Sequence, residues 1–134
     1  MNSLPASSPI LRGLTTAVPR YALKQNDVEK LGQKIFAGRS LAFERMRTIY
    51  KNSGIETRYS CVGLDWYLKD HGWRDRNKLY LENADSLIKS AALECLERAN
   101  LDPMMVDGLA VVSTTGVATP SLDALLLEEI PFRR

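Results

Sequence analysis

The stretch Gly108-Leu-Ala-Val-Val-Ser-Thr-Thr-Gly116-Val-Ala-Thr-Pro-Ser-Leu-Asp123 is an apolar run that breaks into small hydroxyl residues and glycine. Leu109 to Val112 have the composition of a strand buried on both faces, as in a parallel sheet. A buried strand that releases Ser113, Thr114, Thr115 and Gly116 at its carboxyl end presents polar groups to the crevice where open α/β sheets take their ligands. Hydroxyl residues after a strand also make local turns and caps, so spacing alone leaves a binding and a structural role equally open for them. Only eleven residues follow Asp123. From this we expect that part of the chemistry served by the crevice is missing from the chain.

The segments before this stretch support the same class. The strongest helical pattern runs from about Arg76 to Ala99, with Leu81, Ala84, Leu87, Ile88, Ala91, Ala92, Cys95, Leu96 and Ala99 recurring at three- and four-residue steps. Asn100 ends it, Asp102-Pro103 starts a short helical turn, and the strand Leu109 to Val112 follows. A helix leading into a buried strand is half of a βαβ crossover and points to a parallel sheet. Ile10 to Ala17 reads as a short first strand turning at Val18-Pro19. Asn26 or Asp27 can cap a helix carrying Val28, Leu31, Ile35 and Phe36 on one face. A second helix spans about Leu41 to Asn52 and stops at Ser53-Gly54, because glycine accepts the left-handed conformation that closes a helix. Ile55 to Tyr59 is expected to be extended, and a last helix, Leu122 to Glu129, begins near Ser121 and is cut off by Pro131.

Composition sets the limits. With 134 residues, 45% hydrophobic and 25% charged, the chain is expected to form one globular domain with no membrane span. Residues 1–9 lack the basic start and apolar segment of a signal peptide and read as a mobile leader, which gives a cytoplasmic address by default. Residues 1–60 carry ten Lys and Arg against four Asp and Glu, and residues 61–134 carry eight against twelve. The basic half can meet an anionic ligand, although a solvated surface is the plainer reading. It has few interleaved aromatics and no reading motif for nucleic acid.

Few residues suggest chemistry by themselves. Cys61, with Arg58 before it and His71 after, is a conceivable nucleophile, but nothing places it at a helix amino terminus or a tight elbow, and a structural thiol is favoured. Cys95 falls on the apolar face of the long helix as a small core residue. His71 reads as a hydrogen-bonded loop residue, and one histidine with two cysteines at no ligand spacing argues against zinc. Arg39, Arg45, Arg47, Lys51 and Arg58 can hold phosphates by charge-assisted hydrogen bonds, although no glycine-rich phosphate loop accompanies them.

Taken together, these residues resemble the amino-terminal third of a type III polyketide synthase, the chalcone and stilbene synthase family on the thiolase fold. The carriers are Leu14-Thr-Thr-Ala-Val-Pro19, Phe43-Glu-Arg-Met46 leading to Gly54-Ile-Glu-Thr-Arg-Tyr59, and above all Ser113 to Asp123. The segment Cys61-Val-Gly-Leu-Asp-Trp-Tyr-Leu68, with His71-Gly-Trp73 and Arg76-Asn77, is similar to bacterial members. The resemblance implies a partial thiolase-like α/β fold: residues 10–134 are an incomplete amino-terminal half of a layered α/β/α/β/α architecture, preceded by the leader.

The function implied is acyl transfer, in which a cysteine thiolate takes an acyl group from a coenzyme A thioester and is extended by decarboxylated malonyl-coenzyme A. Acyl-CoA and malonyl-CoA are then substrates, no further cofactor or metal is needed, and the working form is a homodimer. By motif match, Thr114 and Thr115 line the acyl cavity and Thr119 crosses to the partner's cavity, where the family often has a larger apolar residue. Of the basic residues meeting coenzyme A, Arg45 matches. The next two positions are Thr48 and Asn52, which departs from the family's pattern and leaves Arg47 or Lys51 as the candidate substitutes. The family's catalytic Cys, His and Asn have no counterpart in these residues, and the chain alone is expected to be inactive. Two rival readings are another thiolase-fold condensing enzyme of the ketoacyl synthase type and a non-catalytic binding or dimerisation module.

Overall fold

The computed structural model describes residues 8–36 and 41–133, excluding the side chains of residues 41, 42 and 44. Most of the leader (residues 1–7), Arg39 and the last residue lie outside the described part.

Strand β1 (Tyr21–Lys24) runs directly into helix α1 (Gln25–Phe36), one residue earlier than the expected cap at Asn26. Asp27 sits instead inside the first turn, where the helix dipole favours a carboxylate. Val28, Leu31 and Ile35 are half-buried, while Phe36 at the end of the helix is exposed. Gly32 is buried against Phe43, and a Cβ there would lie 3.0 Å from the Phe43 ring and 3.1 Å from the Tyr50 hydroxyl. Phe43, 7% exposed, packs its ring 5.1 Å from that of Phe36 and 6.4 Å from that of Tyr50.

The single helix expected over 41–52 is two, α2 (Leu41–Met46) and α3 (Thr48–Asn52). Arg47 between them keeps helical dihedrals, but the Tyr50 N–H bonds to the Arg47 C=O, three residues back. That tightened pattern interrupts the α-helical ladder. Gly54 then takes the left-handed conformation, φ +66°, as the Ser53-Gly54 stop anticipates. Strand β2 (Thr57–Ser60) pairs antiparallel with β1, Tyr21 opposite Ser60 and Lys24 opposite Thr57.

After a 3-10 helix over Leu64–Leu68, helix α4 (Trp73–Ala99) is the spine of the molecule. It starts three residues before the expected Arg76 and ends where Asn100 adopts the left-handed conformation. The Asn100 N–H bonds to Glu97 O and the Leu101 N–H to Leu96 O, the paired bonds of a Schellman closure. Asp102 then caps a 3-10 turn, Pro103–Met105, its Oδ1 accepting from the Met104 N–H at 2.8 Å. Helix α5 (Leu122–Glu129) has the bounds expected from sequence. Leu126, Ile130 and Phe132 form a buried cluster packed on Ile88, Ala92 and Leu96 of α4 and on Val106 and Leu109.

Two sequence expectations need correcting. Ile10 to Ala17 and Leu109 to Val112 are not strands, and the only sheet among the described residues is the antiparallel pair β1–β2. Both segments show the alternating burial of a strand, with Gly13, Thr15 and Ala17 turned inward in one and Leu109 and Val111 in the other. Thr15 Oγ1 donates to Ala91 O on α4 at 2.8 Å. Among the described residues, however, neither segment makes a backbone–backbone hydrogen bond. A strand exists only through its ladder partners, and none is present here. Val112, expected to be fully buried, is 91% exposed. The parallel sheet inferred from the βαβ pattern is accordingly absent from the described residues.

Unpartnered segments leave apolar surface open. Leu11 is 80% exposed and Val112 91% exposed. Among the described residues, no helix is long and apolar enough to cross a membrane.

Candidate functional site

The segment Ser113–Val117 is moulded onto the first turns of α4. Asn77 grips Val117 in both directions: its Nδ2 donates to Val117 O at 3.0 Å, and its Oδ1 accepts from the Val117 N–H at 2.9 Å. A side-chain amide thus supplies the two bonds that a neighbouring strand would give. Tyr80, three residues along the same helix face, donates its hydroxyl to Ser113 Oγ at 2.6 Å. Its ring lies so close to Gly116 that a Cβ there would be 2.2 Å from the ring's Cδ1. Glycine is therefore required at 116 by close approach.

Thr114 and Thr115 are exposed on this turn. Thr115 lines a cavity of about 560 Å³ with Tyr59, Cys61, Trp66, Arg76 and Tyr80 among its walls. Thr119 is also exposed, and its peptide bond to Pro120 is cis. The sequence pointed to the hydroxyl residues but not to Asn77 and Tyr80 as their supports. An asparagine and a tyrosine at i and i+3 of an amphipathic helix carry no local signal of what they hold.

The basic residues divide by environment. Arg45 is exposed on α2, and Arg47 is half-buried and ion-paired with Glu29 of α1 at 3.5 Å. Lys51 is exposed on α3. Arg47 and Lys51 share a 240 Å³ pocket with Glu29 and Thr48. Lys51 also borders a polar pocket of about 610 Å³ together with Lys24, Gln25, Asn26 and Glu56. Arg58, on β2, spends its Nε on Gln25 Oε1 at 2.6 Å. The geometry thus brings Arg47 and Lys51 together and leaves Arg45 outside their pocket.

The cysteines and histidine take structural positions. His71 stacks on Trp66, ring centroids 3.9 Å apart and planes within 2°. Its Nε2 is 3.0 Å from Trp66 O, an acceptor, so Nε2 carries the proton. Cys61 is half-buried in the loop after β2, and Cys95, half-buried on α4, faces Gly13. Among the described residues, no three His, Cys, Asp or Glu side chains gather as a metal site. At the start of α5, the Ser121 hydroxyl and then backbone amides hold the Asp123 carboxyl below the usual carboxylate range.

No protein-family profile matches the chain. The fold does find solved counterparts. The crystal structure of 1,3,6,8-tetrahydroxynaphthalene synthase from Streptomyces coelicolor, a bacterial type III polyketide synthase, superposes with a TM-score of 0.79 at 26% identity, covering 90% of this chain and 35% of that one. The proteins and solved structures it resembles are type III polyketide synthases.

The fold it shares with them is a partial thiolase-like α/β fold. It is 27% identical over 122 residues to a chalcone synthase-like protein of Bacillus subtilis, covering 87% of this chain and 33% of that protein. It is 27% identical over 117 residues to the tetrahydroxynaphthalene synthase of Streptomyces griseus, covering 87% of this chain and 31% of that protein. The chain thus spans about a third of the length of the curated relatives it matches.

Proposed function

We propose that this chain forms the coenzyme A-facing and cavity-wall part of a type III polyketide synthase, an acyltransferase that condenses malonyl-CoA with an acyl-CoA starter. The observation that carries the proposal is the Ser113–Val117 turn locked on α4 by Asn77 and Tyr80. It holds Thr114 and Thr115 in a fixed place at the end of an extended segment, on a fold matched to a synthase over 90% of the chain. In this reading Thr114 and Thr115 line the acyl cavity, and Thr119 reaches into the partner of a homodimer.

Arg45, Arg47 and Lys51 meet the phosphates of coenzyme A. Their contributions are unequal. Glu29 already neutralises much of the Arg47 charge, whereas Lys51 faces two pockets. Lys51 is then the principal substitute for the family's missing cation.

Acyl transfer needs a low-pKa thiolate and donors for the developing oxyanion. Cys61 and His71 do not supply them: the histidine Nε2 is committed to Trp66 O, and the thiol sits in a loop cavity without it. In this reading the catalytic Cys, His and Asn lie outside these 134 residues, and the chain alone does not turn over.

Calorimetric titration of the chain with coenzyme A tests the binding half. Lys51→Ala should weaken binding about tenfold, the loss of one charge-assisted contact, and Arg47→Ala less. Unchanged affinity in Lys51→Ala, or no binding by the unmodified chain, would remove the basic site from the proposal.

A further inference from the structure

Gln25 is the buried polar residue around which the basic corner is built. It is 6% exposed, and its whole amide is committed. Nε2 donates to Tyr50 O at 3.1 Å and to Ser53 Oγ at 3.3 Å, while Oε1 accepts from Arg58 Nε at 2.6 Å. Its own backbone N–H bonds to Glu56 O at 2.9 Å. One residue thereby ties the first turn of α1 to α3, to the turn after α3 and to β2.

The helix it holds needs holding. α3 has five residues and no side-chain bond at its amino-terminal cap, and a helix this short does not persist by itself in water. Its remaining fixtures include the Arg47–Glu29 pair and the Phe43–Tyr50 ring contact. Tyr50 directly precedes Lys51, so the bond from Gln25 to the Tyr50 carbonyl sets where the Lys51 backbone sits between its two pockets. The Tyr50 carbonyl also accepts from the Ser53 hydroxyl at 3.3 Å, and Ser53 Oγ in turn accepts from Gln25 Nε2, so removing the Gln25 amide loosens both ties that hold the end of α3.

We infer that Gln25 is a positioning residue for the phosphate-binding cation Lys51: it fixes α3 and the 610 Å³ pocket that Gln25 and Lys51 both border. The inference rests on the coenzyme A reading above. Gln25 itself touches no phosphate. It acts by keeping the lysine at a fixed place, which limits the side-chain entropy lost on binding.

The test measures the affinity of the full chain for coenzyme A and for phosphate-free pantetheine, in the unmodified protein and in Gln25→Met, which keeps the length of the side chain and removes its hydrogen bonds. We expect the unmodified chain to prefer coenzyme A, and Gln25→Met to lose about tenfold in coenzyme A affinity with pantetheine affinity unchanged. Ser53→Ala, which removes one of the two acceptors of Nε2 and the hydroxyl's own bond to Tyr50 O, should lower the same preference by about twofold to threefold. It serves as the test if Gln25→Met fails to fold. A preference for coenzyme A that persists in the folded variants overturns the inference and leaves the binding site standing. Equal loss of both ligands also overturns it, since that marks a general structural role. An unmodified chain with no preference for coenzyme A over pantetheine overturns the binding site and the inference together.

Discussion

Asn77 makes two hydrogen bonds to the backbone of a residue forty positions away, and among the described residues no neighbouring strand stands ready to replace them. Asn77→Ala should free the turn that carries Thr114 and Thr115 at a cost of about 1–3 kcal/mol. The measurement is amide hydrogen exchange at Val117, expected to accelerate by about tenfold or more while the α5 amides keep their protection. Gly116 answers to the same helix face. Gly116→Ala drives a methyl into the Tyr80 ring and should destabilise by about 1–3 kcal/mol. In a double-mutant cycle with Tyr80→Ala, much of that penalty should disappear; additive effects would show that the ring is not what excludes the methyl.

At the scale of elements, what the sequence disclosed depended on whether an element's partners are local. Helix α4, its Asn100 closure, the Asp102 cap and the bounds of α5 were legible because their determinants lie within a few residues of each other. The two expected strands were legible only as patterns. Their inward and outward alternation is present, yet a strand needs a neighbour, and the composition of Leu109 to Val112 cannot say whether one is supplied. The split of α2 from α3 was not legible either, since it turns on one hydrogen bond at Arg47. Among site residues, hydroxyls after an apolar run declared themselves, while Gln25, Asn77 and Tyr80 did not, because their partners lie 25 to 40 positions away.

Two predictions belong to α5. Leu126, 1% exposed at the centre of the α4–α5 cluster, should cost about 2–5 kcal/mol when cut to alanine, read as a lowered Tm. Asp123 has its pKa depressed in the folded state, so its contribution is full above the unfolded carboxylate value, about 3.9, and is lost as pH falls through the lower folded value. Asp123→Asn should therefore be less stable than the parent at neutral pH, with the gap closing in acid; a constant gap would dissociate the carboxylate charge from the effect.

At the scale of the whole molecule, part of the exposed apolar surface lies along the two extended segments. Leu11, Leu14, Val18, Val112 and Val117 are all exposed on or beside the two extended segments without ladder partners. Apolar surface beside unpaired backbone is what a sheet presents when strands are missing from it. The relatives are about three times as long, and in our proposal the residues beyond this third complete both sheet and active site. Sedimentation of the isolated chain should show concentration-dependent self-association, diminished by the double substitution Leu14→Lys with Val112→Lys. A parent chain that stays monomeric throughout would argue that this face needs no cover.

The decisive comparison is carbon dioxide release from carboxyl-labelled malonyl-CoA by three proteins. These are the 134-residue chain alone, the Streptomyces coelicolor synthase lacking the 35% of its length that this chain matches, and a single-chain fusion of the two. We expect both parts alone to release no more than buffer, and the fusion to release carbon dioxide. Release by the isolated chain, or a folded fusion with none, would contradict the assignment of these residues to the cavity wall and coenzyme A surface of a type III polyketide synthase.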